Sequence, residues 1–173
     1  MLIQPDEQHS IDTYVGIDNG VSGTIAVLHK DGTPAYFSKT PVFNSQDYTK
    51  QKKRVNRIST GSLYGIFRGL DGVAKVFIER PMVNPRRFVA TGSALRALEA
   101  TLIVLENCRL PYMFLDSREW QNALLPGHKG SDVLKRMSKE IGLRLFPCYS
   151  EPILKHGDAD GLLIAEYARR RSL

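Results

Sequence analysis

Two glycine turns constrain this chain more than any other feature. Asn19-Gly20 and Asp31-Gly32 separate three short apolar runs, Tyr14–Asp18, Gly23–His29 and Ala35–Lys39. Asn-Gly and Asp-Gly tolerate the positive φ values of a tight turn, so the strands flanking them fold back on one another. The pattern predicts an antiparallel three-stranded meander.

Beyond the meander the periodicity alternates. The polar stretch Asn44–Asn56 reads as a loop or arm, and Thr60–Leu70 puts Leu63, Ile66, Phe67 and Leu70 on one helical face. Lys75–Glu79, carrying Val76, Phe77 and Ile78, reads as a buried strand. Thr91–Cys108 repeats leucines at helical spacing, and Pro111–Asp116 is a short strand after which Ser117 caps a helix towards Trp120. Ser131–Ile141 is a helix opened by Ser131 or Asp132, and the last helix runs from about Asp158 to Arg171. A meander followed by alternating helices and strands predicts an α/β fold, a mixed five-stranded sheet flanked by helices, with right-handed crossovers between its parallel strands.

At 173 residues the chain suits one domain, residues 14–173, after a polar lead-in at 1–13. The lead-in lacks the basic-then-apolar layout of a signal peptide. No run is expected to reach the roughly 20 apolar residues of a membrane span, so no membrane partner is expected. Cys108 and Cys148 have no C-x-x-C spacing, which argues against a zinc site or disulfide framework and for a reducing compartment such as the cytoplasm of a bacterial or phage-infected cell. The net charge of +6 suits a polyanion. Lys50, Lys52, Lys53, Arg54 and Arg57 fall within eight residues, Arg80, Arg86 and Arg87 follow a strand, and Arg169 to Arg171 come near the end. Such clusters suit a phosphate path, although the last three equally suit a helix C-terminus.

The chemistry-bearing residues are carboxylates at the ends of apolar elements. Asp18 ends one strand, Glu79 ends another, and Asp158 and Asp160 open the final helix. Burying such groups without partners is costly. If they converge, a divalent cation is the natural partner, and oxygen ligands suit Mg²⁺ or Mn²⁺. Two such ions activate water and stabilise the leaving oxygen of a phosphoryl displacement. Each residue also has a plainer explanation: Asp18 serves the turn, Glu79 pairs with a neighbouring arginine, and Asp158 is a helix N-cap, a role that suits it more than Asp160.

Taken together these motifs resemble RuvC-type crossover-junction endonucleases of the RNase H-like superfamily, especially phage and other viral relatives. Gly16-Ile17-Asp18-Asn19-Gly20 matches the opening Gly-Ile-Asp-x-Gly, Glu79 matches the strand-end Glu, and Asp160-Gly161-Leu162-Leu163-Ile164-Ala165 matches Asp-Ala-Leu-Leu-Ile-Ala. Trp120-Gln121, Lys129-Gly130 and Arg144-Leu145-Phe146-Pro147 extend the likeness over Tyr14 to Arg170.

The resemblance implies a Holliday-junction resolvase that hydrolyses DNA with two Mg²⁺ ions, replaceable by Mn²⁺, to give symmetric nicks. It implies Asp18, Glu79 and Asp160 as metal ligands, with Asp158 or His156 as the fourth. Asp158 is favoured because a carboxylate suits Mg²⁺ better than imidazole does, which makes the catalytic set Asp18, Glu79, Asp158 and Asp160. Met82, with Phe88 behind it, occupies the place of a junction wedge, or is simply packed. Lys53, Arg54, Arg80, Arg86 and Arg87 are candidate DNA contacts. Lys135 matches a position near the scissile phosphate, or is a solvated helix residue. The helix Thr91–Cys108 resembles one that pairs subunits, which implies a homodimer on a four-way junction.

Three rivals differ in kind. A phosphate-cradling ATPase half, suggested by the Asp-x-Gly hairpin, requires a second domain that 173 residues do not hold. A nuclease for flaps, other branched DNA or RNA–DNA hybrids would use the same ligands with another surface. A non-catalytic junction-binding protein would have no chemical use for the three carboxylates.

Overall fold

A computed structural model describes residues 12–47, 50–71, 73–127 and 129–173. Most of the expected lead-in, residues 1–11, lies outside the described residues. The meander is present as β1 (Thr13–Ile17), β2 (Thr24–His29) and β3 (Pro34–Lys39), paired antiparallel. β4 (Val42–Gln46) and β5 (Arg54–Ile58) follow, then α1 (Thr60–Phe67), β6 (Ala74–Glu79) and α2 (Phe88–Asn107). The chain continues through β7 (Tyr112–Leu115), α3 (Ser117–Leu124), α4 (Ser131–Leu145), α5 (Ser150–His156) and α6 (Asp160–Arg171).

The main sheet has five strands in the order β3-β2-β1-β6-β7, with β1, β6 and β7 parallel. Alternating side chains of its central strands divide the core in two. Tyr14 and Phe77 face α6, where Leu162, Leu163 and Ile164 are buried. Val15, Ile17, Val76 and Ile78 face the opposite side with Leu63, Phe67, Val104 and Leu105 of α1 and α2. A mixed sheet flanked by helices is therefore the architecture, as its sequence pattern predicts.

Four local features differ from expectation. Asn44–Asn56 is no plain loop, because β4 and β5 pair antiparallel as a separate two-stranded hairpin. Its cross-strand pairs compensate for the polar composition: the Arg57 guanidinium lies 6.0 Å from the Phe43 ring, and Asn44 Nδ2 donates to Asn56 Oδ1 at 3.2 Å. α5 was also not anticipated. It ends at Gly157, which has φ +101°, a left-handed turn that suits glycine. That turn sends Asp158 into the interior and delays the last helix to Asp160, so Asp158 is not its N-cap.

The third difference concerns capping. Asp116 rather than Ser117 caps α3, in a reciprocal box with Glu119, and Gly130 precedes α4. Finally, Pro85–Asn107 is long and apolar enough, by length and composition, to cross a membrane. Its most apolar 18-residue window has a mean hydropathy of 1.5. One face of α2 packs on the core, while Phe88, Val89, Leu95 and Ile103 are exposed.

Candidate metal centre

The strand register brings the first two carboxylates together. Ile17 pairs with Ile78 in parallel strands, so Asp18 and Glu79 leave the same edge of the sheet side by side. The other two arrive with α6, which crosses β1 at a glycine contact. A Cβ on Gly16 would lie 2.1 Å from the Gly161 carbonyl oxygen, and one on Gly161 would lie 2.9 Å from that of Thr24. Only glycines admit so close an approach. The Gly161 amide also donates to Thr24 Oγ1 at 2.9 Å, locking the start of the helix onto β2.

As a result, ligand oxygens of Asp18, Asp158 and Asp160 lie within 4.8 Å of one another. Glu79 lines the same cleft of about 450 Å³, as do Met82, Trp120 and Lys135. Burial, then the charges of Asp160, Glu79 and Asp158, push Asp18 well above the usual carboxylate range. Burial and the charge of Asp158 push Asp160 up to about 7, against the Ser138 hydrogen bond. Burial also raises Glu79, against a hydrogen bond from Trp120. Carboxylates this close relax their mutual repulsion by protonation or by a shared cation.

Asp158 is buried, with Lys135 Nζ 3.5 Å from Oδ2 and His156 Nε2 3.3 Å from Oδ1. Neither Oδ1 nor the two His156 nitrogens has a hydrogen-bond partner among the described residues. An orphaned, buried carboxylate oxygen in an all-oxygen cluster fits a hard divalent ion. Between the two candidates for fourth ligand, the geometry separates their positions: Asp158 stands in the cluster and His156 stands against Asp158. Burial lowers the His156 pKa, which favours the neutral ring.

Two residues of the site have no role assigned from sequence alone. Buried Ser138 of α4 donates to Asp160 Oδ1 and accepts from the Ala159 amide at 3.1 Å. Trp120 Nε1 donates to Glu79 Oε2 at 2.8 Å. The Trp120-Gln121 motif marks the position but not the partner.

Of the candidate DNA contacts, Met82 and Lys135 line this cleft, Arg80 and Arg87 line a neighbouring one with Glu79, and Lys53 and Arg54 line neither. Met82 is 78% exposed and is not packed in the core of this chain, and Phe88 is also exposed. Arg86 and Arg87 are exposed on the turn before α2, and Arg87 shares a neighbouring cleft with Asn19, Glu79 and Met82. Arg80 is exposed just after β6, and its guanidinium rests 5.4 Å over the Phe114 ring. Lys53 and Arg54 are exposed on the hairpin, where Arg54 Nε donates to Asn44 Oδ1. Arg169 and Arg170 instead clamp buried Glu166, at 2.8 Å and 2.6 Å.

A mixed β3-β2-β1-β6-β7 sheet with carboxylates gathered at the ends of β1 and β6 and at the start of α6 defines an RNase H-like fold bearing an acidic centre. Within that class the chain has the fold of the RuvC resolvases. It is similar to T. thermophilus RuvC in complex with Holliday junction substrate, with a TM-score of 0.55 at 17% identity over 92% of this chain and 96% of that one. A second Thermus thermophilus RuvC structure matches over the same spans with a TM-score of 0.47 and 16% identity. No family model and no curated protein matches the chain.

Proposed function

We propose that this protein is a structure-specific DNA endonuclease that resolves four-way junctions by metal-dependent hydrolysis, working as a homodimer. The observation that carries the proposal is the convergence of Asp18, Asp158 and Asp160 within 4.8 Å, from opposite ends of the chain. The RuvC fold supports the choice of substrate, because a solved relative in shape holds a Holliday junction.

Asp18, Glu79, Asp158 and Asp160 would hold two Mg²⁺ ions, with Mn²⁺ as a substitute, and these would supply Lewis acidity and an activated water. The chain's own groups do the rest. Asp18 lies between the sheet-borne and helix-borne carboxylates and is the least replaceable. Ser138 fixes the rotamer of Asp160, and His156 backs Asp158. Lys135, ion-paired with Asp158 and largely exposed, puts a cation at the mouth of the cleft, where it offsets charge on the scissile phosphate. Water oxygen adds to phosphorus as the bond to the 3′ oxygen breaks, leaving 5′-phosphate and 3′-hydroxyl ends.

Exposed Arg86 and Arg87 hold the backbone, and Met82 with Phe88 enters the opened junction, where unstacking a base step costs a few kcal/mol. The exposed apolar face of α2 supports pairing of two subunits, which places two centres on two strands. The setting proposed is a bacterial or phage-infected cytoplasm, where the free thiols Cys108 and Cys148 remain reduced.

The test is cleavage of a labelled synthetic four-way junction, with and without Mg²⁺, beside duplex, flap and RNA–DNA hybrid. Paired, symmetry-related nicks that need metal are expected. Preferential cutting of flap or hybrid would keep the centre and change the substrate. Binding without cutting in either metal would overturn the enzymatic reading.

A further inference from the structure

Glu79 differs from the other carboxylates of the centre. It has a longer side chain with more rotamers to restrict, and it stands outside the tight aspartate trio. Its orientation therefore needs an external anchor. Trp120 is 1% exposed, and its indole N–H donates to Glu79 Oε2 at 2.8 Å. A buried indole N–H requires an acceptor, and one to a carboxylate is a charge-assisted bond.

The anchor is itself held from the sheet. Glu79 is in register with Leu115 of β7, and the Arg80 amide donates to the Leu115 carbonyl at 2.9 Å. The next residue, Asp116, caps α3, the helix that carries Trp120. The pairing of β6 with β7 thus sets the distance from the indole to the carboxylate.

We infer that Trp120 is a positioning residue for Glu79, holding Oε2 so that Oε1 is the oxygen presented to a divalent ion in the cleft. This rests on the reading of Glu79 as a cation ligand. A tryptophan present only to fill the core would be replaceable by phenylalanine at no cost to metal binding. One that positions a ligand would not, because groups holding metal ligands typically contribute about ten- to a hundred-fold in metal affinity.

The chain has one tryptophan, so the indole is also a unique reporter. In DNA-free protein, Mn²⁺ binding followed by electron paramagnetic resonance of the free ion should weaken about ten- to a hundred-fold in Trp120→Phe. It should weaken at least as much in Glu79→Gln, and stay unchanged in Phe146→Leu, a truncation in the same core cluster. Unchanged binding in Trp120→Phe beside weakened binding in Glu79→Gln would overturn the positioning role and leave the ligand reading standing. Equal weakening in Phe146→Leu would assign the effect to packing and likewise overturn it. Unchanged binding in Glu79→Gln would instead remove the ligand reading.

If Trp120→Phe does not fold, the wild-type protein supplies the answer. The single indole N–H resonance should move saturably as Mg²⁺ is added, and the response should vanish in Glu79→Gln. An indole resonance that stays fixed while Mg²⁺ binds would overturn the inference.

Discussion

Gly16 of β1 and Gly161 of α6 meet backbone to backbone, so closely that a Cβ on the first would lie 2.1 Å from the carbonyl oxygen of the second. Gly16→Ala must push α6 off the sheet and draw Asp160 away from Asp18. A loss of about 3 kcal/mol is expected in urea denaturation, at the upper end for overpacked cores, together with loss of metal binding. Gly65→Ala, in α1 with nothing within 4 Å of the added carbon, should instead stabilise by about 0.5–1 kcal/mol.

Asp18→Asn keeps the shape of the side chain and removes its charge from the middle of the cluster. Junction cleavage should disappear while junction affinity, measured by gel shift in Ca²⁺, stays near that of the wild type. Loss of both together would show that Asp18 is needed for more than chemistry.

Acidity should stabilise the metal-free protein over an unusual range. Asp160 titrates at about 7 when folded, against about 4 when unfolded, and Asp18 is raised in the same direction. Between these values the folded state binds more protons, so stability falls as pH rises. Thermal unfolding without metal should therefore show a decline from about pH 4 to about pH 7, one that Asp160→Asn flattens and Mg²⁺ offsets. Glu166 contributes the opposite sign at lower pH. Burial raises its pKa, but the hydrogen bonds from Arg169 and Arg170 outweigh this and lower it, so its stabilisation is lost as pH falls through the folded value.

Ser138→Ala removes the hydroxyl that serves both Asp160 and the Ala159 amide. Leaving that buried amide unpaired should cost about 1–3 kcal/mol. Chemical denaturation measures this, and single-turnover cleavage should slow in parallel as Asp160 loses its rotamer.

Replacing Arg86 and Arg87 by alanine should weaken junction binding. The slope of log affinity against log salt should fall by about one for each phosphate no longer neutralised. Arg169→Ala should leave that slope unchanged and lower stability, because its guanidinium is committed to Glu166.

Much of this was legible in the chain because the signals are local. Asn19-Gly20 and Asp31-Gly32 mark turns, and alternating apolar residues mark strands whose ends carry Asp18 and Glu79. What escaped depends on neighbours distant in sequence. Ser138 is one serine on an amphipathic helix until α6 packs against it, and the Trp120-Gln121 motif has no visible partner until β7 aligns α3 with Glu79. Asp158 resembles a cap because a cap and a buried ligand are both Asp before an apolar helix. Gly157 decides between them, and its left-handed turn is set by the three-dimensional path. The β4–β5 hairpin was hidden for another reason: its stability comes from Arg57 on Phe43 and from paired asparagines rather than apolar alternation.

The place of α6 in chain order also bears on synthesis. A polypeptide that has emerged from the ribosome only as far as Leu145 has Asp18 and Glu79 but neither Asp158 nor Asp160, and Tyr14 and Phe77 lack the helix that buries them. The carboxylate cluster and the covered sheet face are thus completed by the same late segment, co-translationally. A chain stopped before α6 should therefore expose the apolar sheet face and lack half of the carboxylate cluster.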